Sequence, residues 1–206
     1  MGRWFLLVLE GIDGSGKSTQ ARLLAKALKE RGCEVVLTQE PTTGPRGQEL
    51  RLYLEGPARH LSPEAELELF LADRREHVRR VIHPALAAGQ IVISDRYYYS
   101  SVAYQGALGL NPAHILALNE AFAARPDLVF ILTLPVPLAL ARLVKKRRET
   151  PQVSENPAYL EQVAAIYASQ KDPRIHRLDA AAPPEAVHAA ILEETLHALE
   201  KIREEG

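Results

Sequence analysis

The sequence predicts a doubly wound α/β fold, a parallel sheet with helices on both faces. Three observations carry that prediction. Short apolar runs alternate along the chain with longer amphipathic ones. Most of the short runs are almost continuously apolar, as strands covered on both faces require. The first of them ends in a glycine-rich turn that leads directly into a helical pattern. Length agrees: 206 residues suit one domain, so residues 1–206 are read as a single unit.

Residues 4–10 form the first predicted strand, apolar from Trp4 to Leu9 and stopped by Glu10. Residues 17–31 follow as a helix, with Ala21, Leu24, Ala25 and Leu28 on one face and Gly32 to close it. Glu34–Thr38 is the second strand. Ser62-Pro63-Glu64 reads as a cap followed by a first-turn proline, opening a long helix to about Ala88 that stops at Gly89. Pro84 is expected to bend its last turn. Gln90–Asp95 and Asp127–Leu134 are the next strands, and Ile175–Leu178 is a fifth. Asn111-Pro112 and Asn156-Pro157 repeat the cap-then-proline signal, and residues 138–149 and 184–203 carry helical patterns.

Composition narrows the function classes. Basic and acidic residues number 25 and 26, a net charge of −1, which argues against a protein that coats nucleic acid or anionic membrane. Cys33 is the only cysteine, so no disulfide forms within the chain. The apolar stretch Leu128 to Ala141 is interrupted by Pro135 and Pro137 and falls short of the roughly 20 residues a bilayer span needs. These readings predict a soluble, cytoplasmic protein without membrane or nucleic-acid partners.

Directly after the first strand stands Gly11-Ile12-Asp13-Gly14-Ser15-Gly16-Lys17-Ser18, followed by Thr19. It is a full G-x-x-x-x-G-K-S phosphate loop, or P-loop. The glycines let the backbone curl so that successive N–H groups face phosphate oxygens. Lys17 supplies a mobile charge for the β- and γ-phosphates, and Ser18 a hydroxyl for Mg²⁺. The positive end of the following helix faces the same anion. Residues Gly11 to Thr19 are therefore the candidate ATP site. A GTPase would need N-K-x-D and a downstream D-x-x-G, and the only D-x-x-G runs from Asp13 to Gly16 inside the loop itself. A small chain with an arginine-rich segment late in its sequence suits a phosphoryl transferase, which must gather negative charge and exclude water.

Phe70 and Arg74 lie four residues apart on one predicted helix, so both can face one pocket. An aromatic plane there stacks a pyrimidine, and a guanidinium donates to a ring carbonyl; the alternative is a core phenylalanine beside a solvated charge. Asp95 ends a strand, where its carboxylate can hold Mg²⁺ directly or through water. Arg96 can clamp a phosphate, or the two can form a local surface ion pair.

Three segments, together with the loop E-G-I-D-G-S-G-K-S-T, resemble the thymidylate kinases. They are Thr38-Gln39-Glu40-Pro41, Leu69-Phe70-Leu71-Ala72-Asp73-Arg74, and the run from Ile93-Ser94-Asp95-Arg96-Tyr97 to Tyr104-Gln105-Gly106. The resemblance spans about residues 4–180. It implies a five-stranded P-loop NTPase-type sheet, a homodimer, and transfer of phosphate from ATP to dTMP with Mg²⁺. It also implies that Phe70 and Arg74 take thymine, that Arg96 binds the dTMP phosphate, and that Ser100 and Gln105 meet the base. Tyr104 would exclude a ribose 2′-hydroxyl, Asp13 would accept the 3′-hydroxyl, and Arg51 would sit near the acceptor phosphate.

A lid over about residues 142–156 begins with a cluster of positive charge, Arg142 and Lys145-Lys146-Arg147-Arg148. Some thymidylate kinases carry a transition-state arginine in the phosphate loop just after the acid; others carry it in the lid. Gly14 follows Asp13 here, so the lid must supply it, and Arg142, Arg147 and Arg148 are the candidates. Two features depart from the family pattern. The lid is short and lacks D-R-x-E, and the familiar R-E-P reads Gln39-Glu40-Pro41, a lost charge for which Arg46 or Arg51 is the candidate substitute.

Overall fold

The computed structural model describes residues 5–56, 60–146 and 156–204. Its centre is one five-stranded sheet: β1 (Phe5–Glu10), β2 (Val35–Gln39), β3 (Ile91–Asp95), β4 (Leu128–Thr133) and β5 (Ile175–Asp179). All neighbours run parallel, in the order β2-β3-β1-β4-β5. Every predicted strand is present within a residue at each end. Phe5 to Leu9 are all 0–1% exposed, because helices cover both faces of the central strand. At about 1.5–3 kcal/mol for each fully buried Leu, Val or Phe side chain, this one strand contributes on the order of 10 kcal/mol of burial. Edge strands β2 and β5 are only half-buried, which matches their weaker apolar runs.

The first helix, α1 (Lys17–Lys29), buries Ala21, Leu24, Ala25 and Leu28, the face its spacing predicts. Helix α2 (Pro45–Glu55) was not readable from periodicity; it buries only Gly47 and Leu50. Helix α3 (Pro63–His77) opens on Ser62, whose hydroxyl accepts from the Ala65 N–H at 3.3 Å. The long helix expected to reach Ala88 is instead divided. A π-helical turn, Val78–Ile82, separates α3 from α4 (His83–Ala87). Pro84 has no N–H to donate back to Arg80 and its ring crowds that carbonyl, so the wider turn forms ahead of the proline rather than as a bend after it.

Helix α5 (Tyr98–Gly106) follows β3, and α6 (Pro112–Glu120) is capped by Asn111. Helices α7 (Val136–Lys146), α8 (Pro157–Ser169, capped by Asn156) and α9 (Pro184–Glu204) complete the order. Arg147, Arg148 and most of the expected lid lie outside the described residues. Among the described residues, no helix is long and apolar enough to cross a membrane. Strand β1 lies between β3 and β4, so the chain leaves the sheet in opposite directions on either side of it, and a crevice opens at the carboxyl ends.

Candidate active site

The phosphate loop lies in that crevice. Gly11 has φ 133°, and a Cβ there would stand 2.5 Å from the Leu132 carbonyl oxygen, so the turn admits only glycine. Helix α1 begins at Gly16 without a side-chain cap and without an acidic residue in its first turn. Its first N–H groups are thus left for an anion. Lys17 is 5% exposed and its ammonium donates to the carbonyls of Gly11 at 3.0 Å and Ile12 at 2.9 Å. Burial, helped by the nearby Arg96 charge and opposed by Asp13, Asp95 and Glu10, pulls its pKa down to about 8.

One cleft of about 710 Å³ joins the loop to residues from distant parts of the chain. Arg51 from α2, Asp95 and Arg96 from the end of β3, and Arg142 from α7 all line it. Arg51 Nη2 donates to the Pro41 carbonyl at 2.7 Å, which holds its head at the cleft wall. Arg46 does not line this cleft; it is exposed and paired with Glu49 at 2.9 Å. Of the two candidates to replace the charge lost at Gln39, only Arg51 reaches the site. Arg142 Nη2 donates to the Ala180 carbonyl at 2.9 Å and lies on the same wall as Ala182 and Pro184.

Ser18 Oγ donates to Asp95 Oδ2 in a short hydrogen bond, while Asp95 Oδ1 is buried without a hydrogen-bond partner. Arg96 Nη2 meets Asp13 Oδ1 at 2.5 Å, and its guanidinium lies 5.2 Å from the centre of the Tyr104 ring. The Tyr104 hydroxyl donates to Asp13 Oδ2 and accepts from the Asp13 N–H, both at 3.2 Å. Burial pushes the Asp13 carboxyl up, but the charges of Arg96 and Lys17 outweigh it and hold the pKa at about 2. Asp13 is therefore an anion at neutral pH.

The expected base contacts are arranged differently from the sequence reading. Phe70 is partly exposed on α3. Arg74, one helical turn on, is 1% exposed and all five of its N–H donors have protein acceptors. Nε and Nη2 donate to Glu40 Oε2, Nη2 also to the Tyr97 carbonyl, and Nη1 to Ser101 Oγ and Asn119 Oδ1. The i, i+4 spacing sets a shared face but not depth, and Arg74 is sunk beneath that face. Ser100 is likewise committed below the site, to Glu10, Arg96 and Tyr167. Gln105 is fully buried; its Nε2 donates to Glu66 Oε1 at 3.0 Å and its Oε1 has no partner.

Three residues that the sequence reading passed over hold this arrangement. Glu40 is the partner of Arg74 and, at 2.9 Å, of His77 Nδ1. Glu10 was legible only as the charge that ends an apolar strand. Tyr167 carried no local signal at all; it arrives on α8, 157 residues after Glu10, to donate to that carboxylate at 2.9 Å.

Known proteins place this geometry in a family. The profile of the thymidylate kinase family matches residues 9–191. The chain is 47% identical over 191 residues to the thymidylate kinase of Xanthomonas campestris pv. campestris (strain B100), covering 91% of this chain and 82% of that one. It is 46% identical over 176 residues to the thymidylate kinase of Desulfotalea psychrophila, covering 85% and 86%. With the thymidylate kinase of Brachyspira hyodysenteriae the identity is 42% over 187 residues, 91% of each chain. A phosphate loop whose first turn admits only glycine, an acid and an arginine brought to it at the carboxyl end of the neighbouring strand β3, and matches across nearly the whole chain converge: the protein belongs to the thymidylate kinase family.

Proposed function

We propose that the chain transfers the γ-phosphoryl group of ATP to the phosphate of dTMP, giving dTDP and ADP. One observation carries the proposal: a single cleft is lined by the phosphate loop, with its Asp13 and Lys17, and by Arg51 and Arg96 from elsewhere in the chain. Two phosphorylated ligands meeting end to end need that charge pattern, and membership of the thymidylate kinase family supplies the acceptor.

The reaction is an in-line displacement. A dTMP phosphate oxygen attacks the γ-phosphorus, one P–O bond forms, and the bond to the β–γ bridging oxygen breaks as ADP leaves. The nucleophile is already ionised, so no general base is called for. Lys17 and the α1 N-terminus bind the donor phosphates, and Arg96 and Arg51 hold the acceptor phosphate near them. Asp13 takes the sugar 3′-hydroxyl, and the Tyr104 ring closes the space a 2′-hydroxyl would occupy. Phe70 stacks the thymine. Gln105, whose amide nitrogen Glu66 holds, lies buried beside this pocket rather than open to it. Arg74 positions this floor through Glu40, Tyr97 and Ser101.

Ser18 Oγ and the unpartnered Asp95 Oδ1 are the oxygen ligands a hard divalent cation takes, so the residues fit Mg²⁺. When bound there, Mg²⁺ supplies charge neutralisation for the β- and γ-phosphates. The arginine that covers the moving phosphoryl group comes from the lid. A homodimer forms part of the proposal and is checked by sedimentation equilibrium.

The test is ADP release, coupled to a dehydrogenase, across dTMP, dUMP, dCMP, dAMP and thymidine. dTMP is expected to give the highest kcat/KM. Preference for thymidine over dTMP, or ADP release without a phosphorylated nucleotide product, would overturn the reading.

A further inference from the structure

Glu10 is the last residue of β1 and immediately precedes the phosphate loop, yet all four of its hydrogen bonds go elsewhere. The side chain is fully buried. Oε1 accepts from the backbone N–H groups of Tyr97 at 2.9 Å and Ser100 at 3.1 Å. Oε2 accepts from Ser100 Oγ at 2.6 Å and the Tyr167 hydroxyl at 2.9 Å. The two backbone groups belong to the first turn of α5, whose own cap residue, Tyr97, provides no side-chain bond. A carboxylate from the central strand caps that helix instead.

The residue that benefits is Arg96. Its φ of 74° is the one left-handed value among the described non-glycine residues, and the surrounding structure must hold it there. Its N–H donates to the carbonyl of Leu9, the residue before Glu10, at 2.9 Å. Its Nη1 donates to Ser100 Oγ at 3.1 Å. Because Ser100 gives its own hydrogen to Glu10 Oε2, its lone pairs are left for the guanidinium. The carboxylate thus orients the hydroxyl, and the hydroxyl orients the arginine.

Stability does not explain the choice of residue. A buried carboxylate is expensive, and a well-packed apolar side chain serves a fold at least as well. What an apolar side chain cannot do is accept four donors at once, two from a backbone turn and two from side chains. We infer that Glu10 is a positioning residue that fixes Arg96 in register with the phosphate loop, so that acceptor and donor phosphates are held by one rigid unit. This rests on the reading of Arg96 as the acceptor-phosphate ligand.

The test compares Glu10→Gln and Ser100→Ala with the parent protein in two measurements. One is the KM for dTMP; the other is the Ki of thymidine as a competitive inhibitor, which offers the same base and sugar without the phosphate. Both variants are expected to raise the KM for dTMP roughly tenfold, the loss of about one charge-assisted hydrogen bond, and to leave the thymidine Ki within about twofold. A purely structural role would move both ligands together or neither, and either result overturns the inference. Arg96→Ala, run alongside, separates the two layers. If it leaves the KM for dTMP unchanged, the phosphate reading of Arg96 fails. If it raises that KM while Glu10→Gln and Ser100→Ala do not, the phosphate reading stands and the positioning role falls. Should Glu10→Gln not fold, Ser100→Ala, which removes a single hydroxyl, decides the matter alone.

Discussion

Arg74 crosses from α3 to meet Glu40 at the end of β2, with Nη2 2.5 Å from Oε2 and both side chains at most 5% exposed. Burial pushes the Glu40 carboxyl up, but Arg74 and His77 more than offset this and hold it below its ordinary value of 4.5. A pair so deep is valuable chiefly because breaking it strands a charge. Arg74→Ala is expected to lower the unfolding free energy by about 3–5 kcal/mol in urea titrations. Arg74→Met with Glu40→Leu should recover most of that loss. If Arg74→Ala costs under about 1 kcal/mol, the typical limit for an exposed pair, the buried network is not as described.

The same pair sets an acid limit. A carboxylate with a depressed folded pKa gives stability that is fully present above its unfolded value and lost as pH falls through the folded one. Stability should therefore decline as pH drops below about 4.5. In the double variant this part of the decline should be absent, which thermal melts between neutral and acid pH would reveal.

What the sequence made legible is what local chemistry decides. The strands, α1 and its phosphate loop, and the three cap-then-proline starts all follow from neighbours within a few residues. Helix α2 escaped because only Gly47 and Leu50 are buried, too few to impose a period. The π-turn escaped because a proline reports that a helix must yield, not on which side. At the site, Asp13, Lys17, Arg51, Asp95 and Arg96 do converge, since each sits on the loop, at a strand end, or on the helix beside it. Ser100 is expected at the ligand because the family resemblance implies it, and Arg74 because its spacing from Phe70 gives a face. Depth depends on partners 90 and 34 residues away, which no window along the chain contains.

Asp13 is held as an anion at about pH 2 and above, by Arg96 and Lys17 against burial. Its proposed role is to accept the sugar 3′-hydroxyl. Asp13→Asn keeps the shape and removes the charge, and should lower kcat/KM for dTMP about 10–100-fold, the range of a lost charged hydrogen bond. The discriminating ligand is 3′-deoxy-dTMP. The parent should bind it more weakly than dTMP, and the variant should treat the two alike. A variant that still prefers dTMP by the full margin would remove Asp13 from this role.

Lys17 predicts a basic limit to ATP binding. With its pKa lowered from 10.5 to about 8, the free protein loses this proton as pH rises through about 8. A bound polyphosphate favours the ammonium, so binding above that pH must take up a proton. Calorimetry at pH 8.5 in buffers of different ionisation enthalpy should show roughly three-quarters of a proton taken up by the parent at saturation. Lys17→Met should show none from this source. An uptake that the substitution leaves unchanged would assign the proton to another group.

Gly14 leaves no room in the phosphate loop for a transition-state arginine. Its φ is 83°, and a Cβ there would lie 2.5 Å from the Ala139 carbonyl oxygen of α7. Backbone on both sides leaves nothing that can give way, so the loop position is closed to any side chain. Gly14→Arg is therefore expected to weaken ATP binding by at least about tenfold and to restore nothing in a lid variant. Arg142 is tied to the Ala180 carbonyl beside the loop, so Arg142→Ala should act mainly through the KM for ATP. An arginine that meets the moving phosphoryl group should instead lower kcat, by about 10²–10³-fold, with little change in the KM for dTMP. That pattern is expected for Arg147→Ala or Arg148→Ala. If all three substitutions leave kcat near the parent value, the lid does not supply the charge.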